Sequence, residues 1–265
     1  MMHPIERLRW IARAEDEPAA TLASEAAWTL GELAQDEPTA LLTACRRLLD
    51  RHPACGPLWW VSARLAAADD PVEAARRAAA ELCSDATPDR LARALRASLT
   101  ASDVVVLTVP VELSLACLAS SKPYQIRVLG IPWSLRQAVR ALSEVASEVT
   151  GWSSGEERQA LEGASVLLVE ALAAGPEAVL VDPGVAVAVQ AALDVSVPSW
   201  IVIGAGRALP KRLFEAASER AGEKVDEVAL DSFALAIGAE LTGDPGAVAA
   251  QVSCHAGPEL LRRPL

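Results

Sequence analysis

Hydrophobic positions change their rhythm near residue 103. Before it, apolar residues recur at three- and four-residue spacing, the signature of helices with one inward face. Ile5, Leu8 and Ile11 open this series over residues 5–16, with Trp10 beside them. Leu22, Ala26, Leu30 and Leu33 follow behind Thr21, a candidate cap. Pro38, at a first-turn position, starts a helix carrying Leu41, Leu42, Cys45, Leu48 and Leu49. Further helices are expected from Leu58 to about Ala68, from Asp70-Pro71 to about Cys83, and from Thr87-Pro88 to about Leu99.

After residue 102 the pattern alternates. Asp103–Val109 is a continuous β-branched run, as expected for a strand buried on both faces. Strands are also expected at Tyr124–Leu129, Glu148–Thr150, Ser165–Val169 and Pro198–Ile203, with a last one at Glu227–Leu230. Helices are expected between them at Glu112–Ser120, Pro132–Val145, Glu156–Leu161, Gly184–Leu193 and Pro210–Ala221. Alternation of this kind predicts a mostly parallel, wound sheet. The chain therefore divides into a helical unit over 1–100, a Rossmann-like α/β unit over 101–242 and a loose tail over 243–265, with a short helix within Ala247–Val252.

Composition narrows the function classes. Net charge is −11, and the excess of acid lies mostly after residue 102. An acidic chain without a basic stripe argues against nucleic acid or an anionic membrane as partner. The five cysteines are odd in number, scattered and form no CxxC pair, as in a reducing compartment. Arg7, Arg9 and Glu6 stand where an export signal needs an apolar run, and Glu170, Pro176 and Asp182 interrupt the most apolar stretch. The expected location is cytoplasmic.

The candidate chemistry is sparse. Gly204-Ala-Gly206-Arg207 joins a strand to a helix. Its backbone N–H groups would form an anion cradle, with Arg207, Lys211 or Arg212 adding charge, or it is only a tight turn. Glu170 ends an apolar strand, placed either to act as acid, base or hydroxyl acceptor, or merely to cap the next turn. Asp182 before Pro183 reads as a helix cap. His3, His52 and His255 lack metal-ligand spacing, and no nucleophile elbow is present. Trp59 and Trp60 point about 100° apart on one helix, one into the helical core and the other to a boundary. No cofactor is expected.

Several segments carry a family resemblance. They are His3-Pro-Ile-Glu-Arg-Leu-Arg9, Ala44-Cys-Arg-Arg-Leu-Leu49, His52-Pro-Ala-Cys-Gly-Pro-Leu-Trp-Trp60, Asp103–Pro110, Pro198–Gly204 and Glu227-Val-Ala-Leu-Asp231. Together they resemble the α, β and δ regulatory subunits of translation initiation factor 2B and the related methylthioribose-1-phosphate and ribose-1,5-bisphosphate isomerases. Within these they are most similar to an actinobacterial branch. The resemblance implies a helical domain followed by a Rossmann-like sheet of the phosphosugar-isomerase/CoA-transferase type, and dimerisation through the second domain.

The departures bear on activity. The isomerase cysteine falls at Pro110 and its histidine at Val109. The catalytic aspartate falls near Glu170, and the lysine of an Asn-Lys pair is lost near Val181-Asp182. Aldose–ketose isomerisation needs an acid/base pair in reach of two adjacent carbons, and one carboxylate does not supply it. The expectation is a non-catalytic binding or assembly protein. Its residual phosphosugar or nucleotide pocket would be bounded by Thr108, Glu170, Gly204, Gly206 and Arg207, and its partners would be a second copy or another protein. The alternatives are a diverged isomerase using Glu170 as its catalytic residue, and a purely structural interaction partner.

Overall fold

The computed structural model describes residues 3–14, 17–119, 124–146 and 148–261. Ser120, expected to end a helix, and Pro264, in the tail, lie outside the described residues, as do Glu15 and Asp16 at the end of the first expected segment.

Six helices come first: α1 (Pro4–Ile11), α2 (Ala19–Asp36), α3 (Leu41–Arg51), α4 (Gly56–Ala66), α5 (Pro71–Cys83) and α6 (Thr87–Ser98). Local chemistry sets their starts. His3 caps α1 through its ring, and Asp70 accepts hydrogen bonds from Val72 N (3.0 Å) and Glu73 N (3.1 Å) at the head of α5. Pro38 begins a single 3₁₀ turn, and α3 proper starts at Leu41.

The alternating part follows as β1 (Val104–Thr108), α7 (Glu112–Leu118), β2 (Gln125–Gly130), α8 (Pro132–Ser143), β3 (Glu148–Ser153), α9 (Glu157–Leu161), β4 (Val166–Glu170), β5 (Ala173–Ala174), β6 (Ala178–Val181), α10 (Val185–Asp194), β7 (Ser199–Ile203), α11 (Lys211–Ala221), β8 (Asp226–Ala229), β9 (Leu235–Gly238), β10 (Thr242–Gly243), α12 (Pro245–Ala249) and α13 (Pro258–Leu261). One sheet has the order β10-β9-β7-β4-β1-β2-β3, parallel except for β10. The strand order reverses between β1 and β4, and open α/β sheets bind ligands in the crevice at such a reversal.

Two differences from the expected strands have a common cause. The segment expected as the last strand pairs instead in a small antiparallel sheet, β5-β6-β8, and β9 extends the main sheet after it. Strands β6, β8 and β9 are each four residues long, too short for alternation to fix which strand pairs with which.

The core has three parts. One fills the space among α1–α5 and reaches α11 through Leu213, Phe214 and Ala217. The other two cover the sheet faces, one with α9, α10 and the small sheet, the other with α7 and α8. Helix α6 places Leu91, Ala92 and Leu95 on that second sheet face and not among the earlier helices.

The tail is docked over its described residues 243–261, which corrects the expectation of a loose end there. Leu260 is fully buried in the helical core, Trp60 Nε1 donates to Ser253 Oγ at 2.9 Å, and the Arg46 and Arg220 guanidiniums donate to the Glu259 and Leu260 carbonyls. Gly257, at φ +49°, and Pro258, at the first position of α13, start that last helix. Both tryptophans of α4 are buried at the seam with later elements. Arg220 lies over the Trp59 ring at 4.8 Å, and Gly206 approaches Trp60 so closely that a Cβ there would lie 3.3 Å from its ring.

Among the described residues, no helix is long and apolar enough to cross a membrane.

Candidate functional site

The strand order sets Thr108, Glu170 and Gly204 at the C-terminal ends of the three adjacent strands β1, β4 and β7. The sequence candidates therefore share one edge of the sheet. They do not share one cavity.

Glu170 ends a strand buried at all five positions and is itself only 1% exposed. Its carboxylate accepts hydrogen bonds from Leu113 N (3.0 Å) and Ser114 N (2.7 Å), in the first turn of α7. A carboxylate there meets unpaired backbone donors that would otherwise be stranded without water. Burial raises its pKa above the ordinary carboxylate value, against the opposing pull of Arg207 and the two backbone donors.

Arg207 is 1% exposed, and its guanidinium turns inward from the glycine loop. One nitrogen donates to the Ala171 carbonyl (2.5 Å) and another to Glu112 Oε2 (2.8 Å). Glu112 also accepts from Ala19 N and Ala20 N, each at 3.1 Å. Pro18 precedes α2 without a side-chain cap of its own, so Glu112 caps that helix from 92 residues away. The result is a buried chain of contacts running from Ala171 through Arg207 and Glu112 to α2. Glu170 lies within electrostatic reach of Arg207.

The loop Gly204–Gly206 does hold an anion, but the anion belongs to the chain. Asp85 Oδ2 accepts from Ala205 N at 2.9 Å, while Oδ1 accepts from Thr87 N (2.8 Å) and the Thr87 hydroxyl (2.5 Å). Gly204 permits this approach, since a Cβ there would lie 2.8 Å from Asp85 Oδ2 and from Leu113 Cδ1. Gly206 adopts φ +72°, a left-handed conformation that favours glycine. Lys211 and Arg212 are exposed at the start of α11.

Beside this loop lies a cavity of about 490 Å³, at the ends of β7 and β9. Trp60, Ser84, Gly204, Gly206, Gln251 and Ser253 contribute to its wall, and so do the carboxylates of Glu81, Asp85 and Glu240. Among the described residues, no lysine or arginine lines it. Arg64 from the flank pairs with Glu81, with a second nitrogen 2.9 Å from Oε1.

Thr108 is buried, with its hydroxyl 3.5 Å from the Leu168 carbonyl, and it borders a void of only about 20 Å³. Val109 fills the neighbouring space. A Cβ added at Gly130, on the end of β2, would lie 2.7 Å from a Val109 methyl. The Val109–Pro110 peptide bond is cis.

Asp182 does not cap α10. That role belongs to Asp226, whose Oδ2 accepts from Gly184 N (2.8 Å) and Ala186 N (3.2 Å). Burial first, and the Asp226 charge second, push the Asp182 carboxyl up to about 6.

Glu112 and Asp85 were not singled out by sequence reasoning. Glu112 carries no local signal, because its partners lie 92 to 95 residues away; Asp85 has one in its turn with Thr87, but its bond to Ala205 spans 120 residues. The thiols of Cys45, Cys55 and Cys254 are pushed up to about 12, in each case chiefly by burial, so they remain protonated apolar fillers. Among the described residues, no group of three or more His, Cys, Asp and Glu side chains could hold a metal ion.

A doubly wound sheet preceded by helices, with an internally paired crevice at its reversal point, is the class these features define. No protein-family model matches the chain, and no curated protein is found as a relative. Solved structures do resemble it, among them subunits of translation initiation factor 2B. The factor eIF-2B of Pyrococcus horikoshii superposes with a TM-score of 0.73 at 14% identity, covering 93% of this chain and 98% of that one. The eIF2B beta subunit of Chaetomium thermophilum gives 0.69 at 14% identity, covering 93% and 90%. The tetrameric eIF2B beta2-delta2 complex of the same organism gives 0.69 at 15%, covering 93% of each chain. At such identities the likeness is one of fold.

Proposed function

We propose that this chain is a non-catalytic binding and assembly protein on the initiation-factor-2B fold, working as a homodimer and docking other protein subunits. The observation that carries the reading is the burial of Glu170 and Arg207, each 1% exposed. Their polar atoms are engaged by Leu113, Ser114, Ala171 and Glu112. An isomerase needs an acid/base group within hydrogen-bond reach of its substrate. Here the candidate acid holds a helix and the candidate phosphate-binding cation is neutralised. One of the neighbours in fold is an assembly of two beta and two delta subunits, which supports the same reading.

The residual pocket is the cavity beside Gly204 and Gly206. Its carboxylates make it a poor receptacle for a phosphate, which favours assembly over phosphosugar sensing. Light scattering at micromolar concentration should give the mass of a dimer, and a monomer would sink the proposal. Sugar phosphates should leave the melting temperature unchanged, because a ligand that binds only the folded state would raise it.

A second reading, a diverged phosphosugar isomerase, is favoured by the raised pKa of Glu170 alone. Turnover of a phosphosugar that vanishes in Glu170→Gln, with the fold intact, would establish it over the first.

A further inference from the structure

In the helical region, α1 and α3 flank a groove of about 560 Å³, a volume typical of small-molecule sites at roughly 300–1,000 Å³. Leu8, Leu33 and Leu48 are buried beneath it and form an apolar floor. Arg9, Arg13, Arg47 and Arg51 stand along it, all exposed.

Two of the charges nearby are already paired. Arg9 meets Glu6 at 2.5 Å, and the groove's own carboxylate, Asp50, meets Arg220 at 3.3 Å. Arg13, Arg47 and Arg51 have no side-chain hydrogen bond or ion pair among the described residues. Residues 3–14 and 41–51 together carry six arginines against Glu6 and Asp50, in a chain whose net charge is −11. This face runs against the charge of the whole molecule. Unpaired like charges lining one groove repel each other, and a bound anion would relieve that cost.

The charge is gathered at one end. The His52 ring, just past the end of α3, lies 2.9 Å from the Ile11 carbonyl at the end of α1. That contact brings the two helix C-termini together, and Arg13 and Arg51 with them. Ile5 and Ala40, from the two helix starts, line the groove as well. A cationic end and an apolar run describe a complement for one anionic head and one apolar tail. A docking peptide would spread its anchors and charges along its length instead.

We propose that the α1/α3 groove binds a small amphipathic organic anion, with its phosphate or carboxylate on Arg13, Arg47 and Arg51 and its apolar body on Leu8, Leu33 and Leu48. Guanidinium forks suit such heads because they donate two parallel hydrogen bonds. The site is separate from the sheet edge, and it stands whether or not the chain proves to be an assembly protein.

Isothermal titration with octyl phosphate tests it, with inorganic phosphate and octanol as single-feature controls. Octyl phosphate should bind saturably at one site, and each control at least about 10-fold more weakly, since each lacks half of the complement. The double variant Arg47→Gln/Arg51→Gln should lose about 10-fold or more in affinity at an unchanged melting temperature, because both side chains are exposed. Ala44→Phe, which fills the floor without removing charge, should block binding independently. No saturable binding, equal binding of inorganic phosphate, or affinity untouched by both variants would overturn the proposal. So would arginine-dependent binding of an acidic helical peptide where octyl phosphate does not bind, since that would make the groove a protein-docking surface.

Discussion

The crevice between β1 and β4 and the cavity beside β7 and β9 lie along one edge of the same sheet. The first is buried and paired within the chain, whereas the second is walled in part by solvent-reaching side chains. At the crevice, Glu170 and Arg207 have given their polar atoms to backbone groups and to Glu112. At the cavity, Glu240 and Gln251 are exposed, and their side chains make no hydrogen bond among the described residues. The position that topology reserves for a ligand has become part of the core, and the remaining open space lies two strands away. A fold can thus keep the layout of a binding edge while its side chains convert the centre of that edge into a joint.

That contrast can be broken by substitution. The largest effect belongs to Arg207→Ala. It leaves the buried Ala171 carbonyl without its donor and takes the counter-charge from Glu112, which keeps only Ala19 N and Ala20 N; an unsatisfied buried group costs roughly 1–3 kcal/mol. Urea denaturation should show that loss, and a change within experimental error would mean the network is not structural. Gly204→Ala comes next. Its Cβ would meet Asp85 and Leu113 at 2.8 Å, a degree of overpacking worth about 1–3 kcal/mol.

Glu170→Gln tests the same joint through pH. The folded-state pKa of Glu170 is raised by burial, so the folded protein holds this proton more tightly than the unfolded chain. Its contribution is complete below the unfolded carboxylate value and is lost as pH rises through the folded one. The wild type should therefore lose stability relative to the Gln variant as pH rises from acid toward neutrality. The difference at pH 8 should be about 1 kcal/mol, the scale of one misfitted hydrogen bond. A pH-independent difference would remove Glu170 from the titrating groups. Glu240→Gln, at the open cavity, should move stability by no more than about 0.5 kcal/mol, as surface changes do. A larger loss would mean the cavity is also load-sharing structure.

The sequence carried the frame of this molecule more fully than its wiring. The β-branched run before Thr108 could hardly be anything but a doubly buried strand, and Glu170 and Gly204 were placed at strand ends by their position after apolar runs. The short β6 and β9 were missed, and β8, of the same length, was anticipated in position but not in its sheet, because four residues give too little alternation to fix a strand or its partner. The wiring was hidden for a different reason. Whether Arg207 faces a ligand or a carboxylate depends on Glu112, 95 residues earlier, and whether the glycine loop takes a phosphate depends on Asp85, 120 residues earlier. Local rules of capping and turn chemistry fix which backbone donors are free, and only the tertiary fold decides which anion reaches them.

Glu112 has one more consequence. A helix whose first donors are satisfied by its own neighbours can persist when the rest of a protein melts. The donors of α2 at Ala19 and Ala20 are satisfied from the start of α7, on a carboxylate that Arg207 in turn holds in place. Losing the sheet therefore uncaps the longest helix of the other half, and losing that helix leaves Arg207 with a mobile counter-charge. Melting should accordingly be a single cooperative event, with calorimetric and van't Hoff enthalpies in agreement. Glu112→Ala should lower its midpoint through the loss of a cap worth about 0.5–2 kcal/mol, while the core shared through Leu213, Phe214 and Leu260 keeps the transition single.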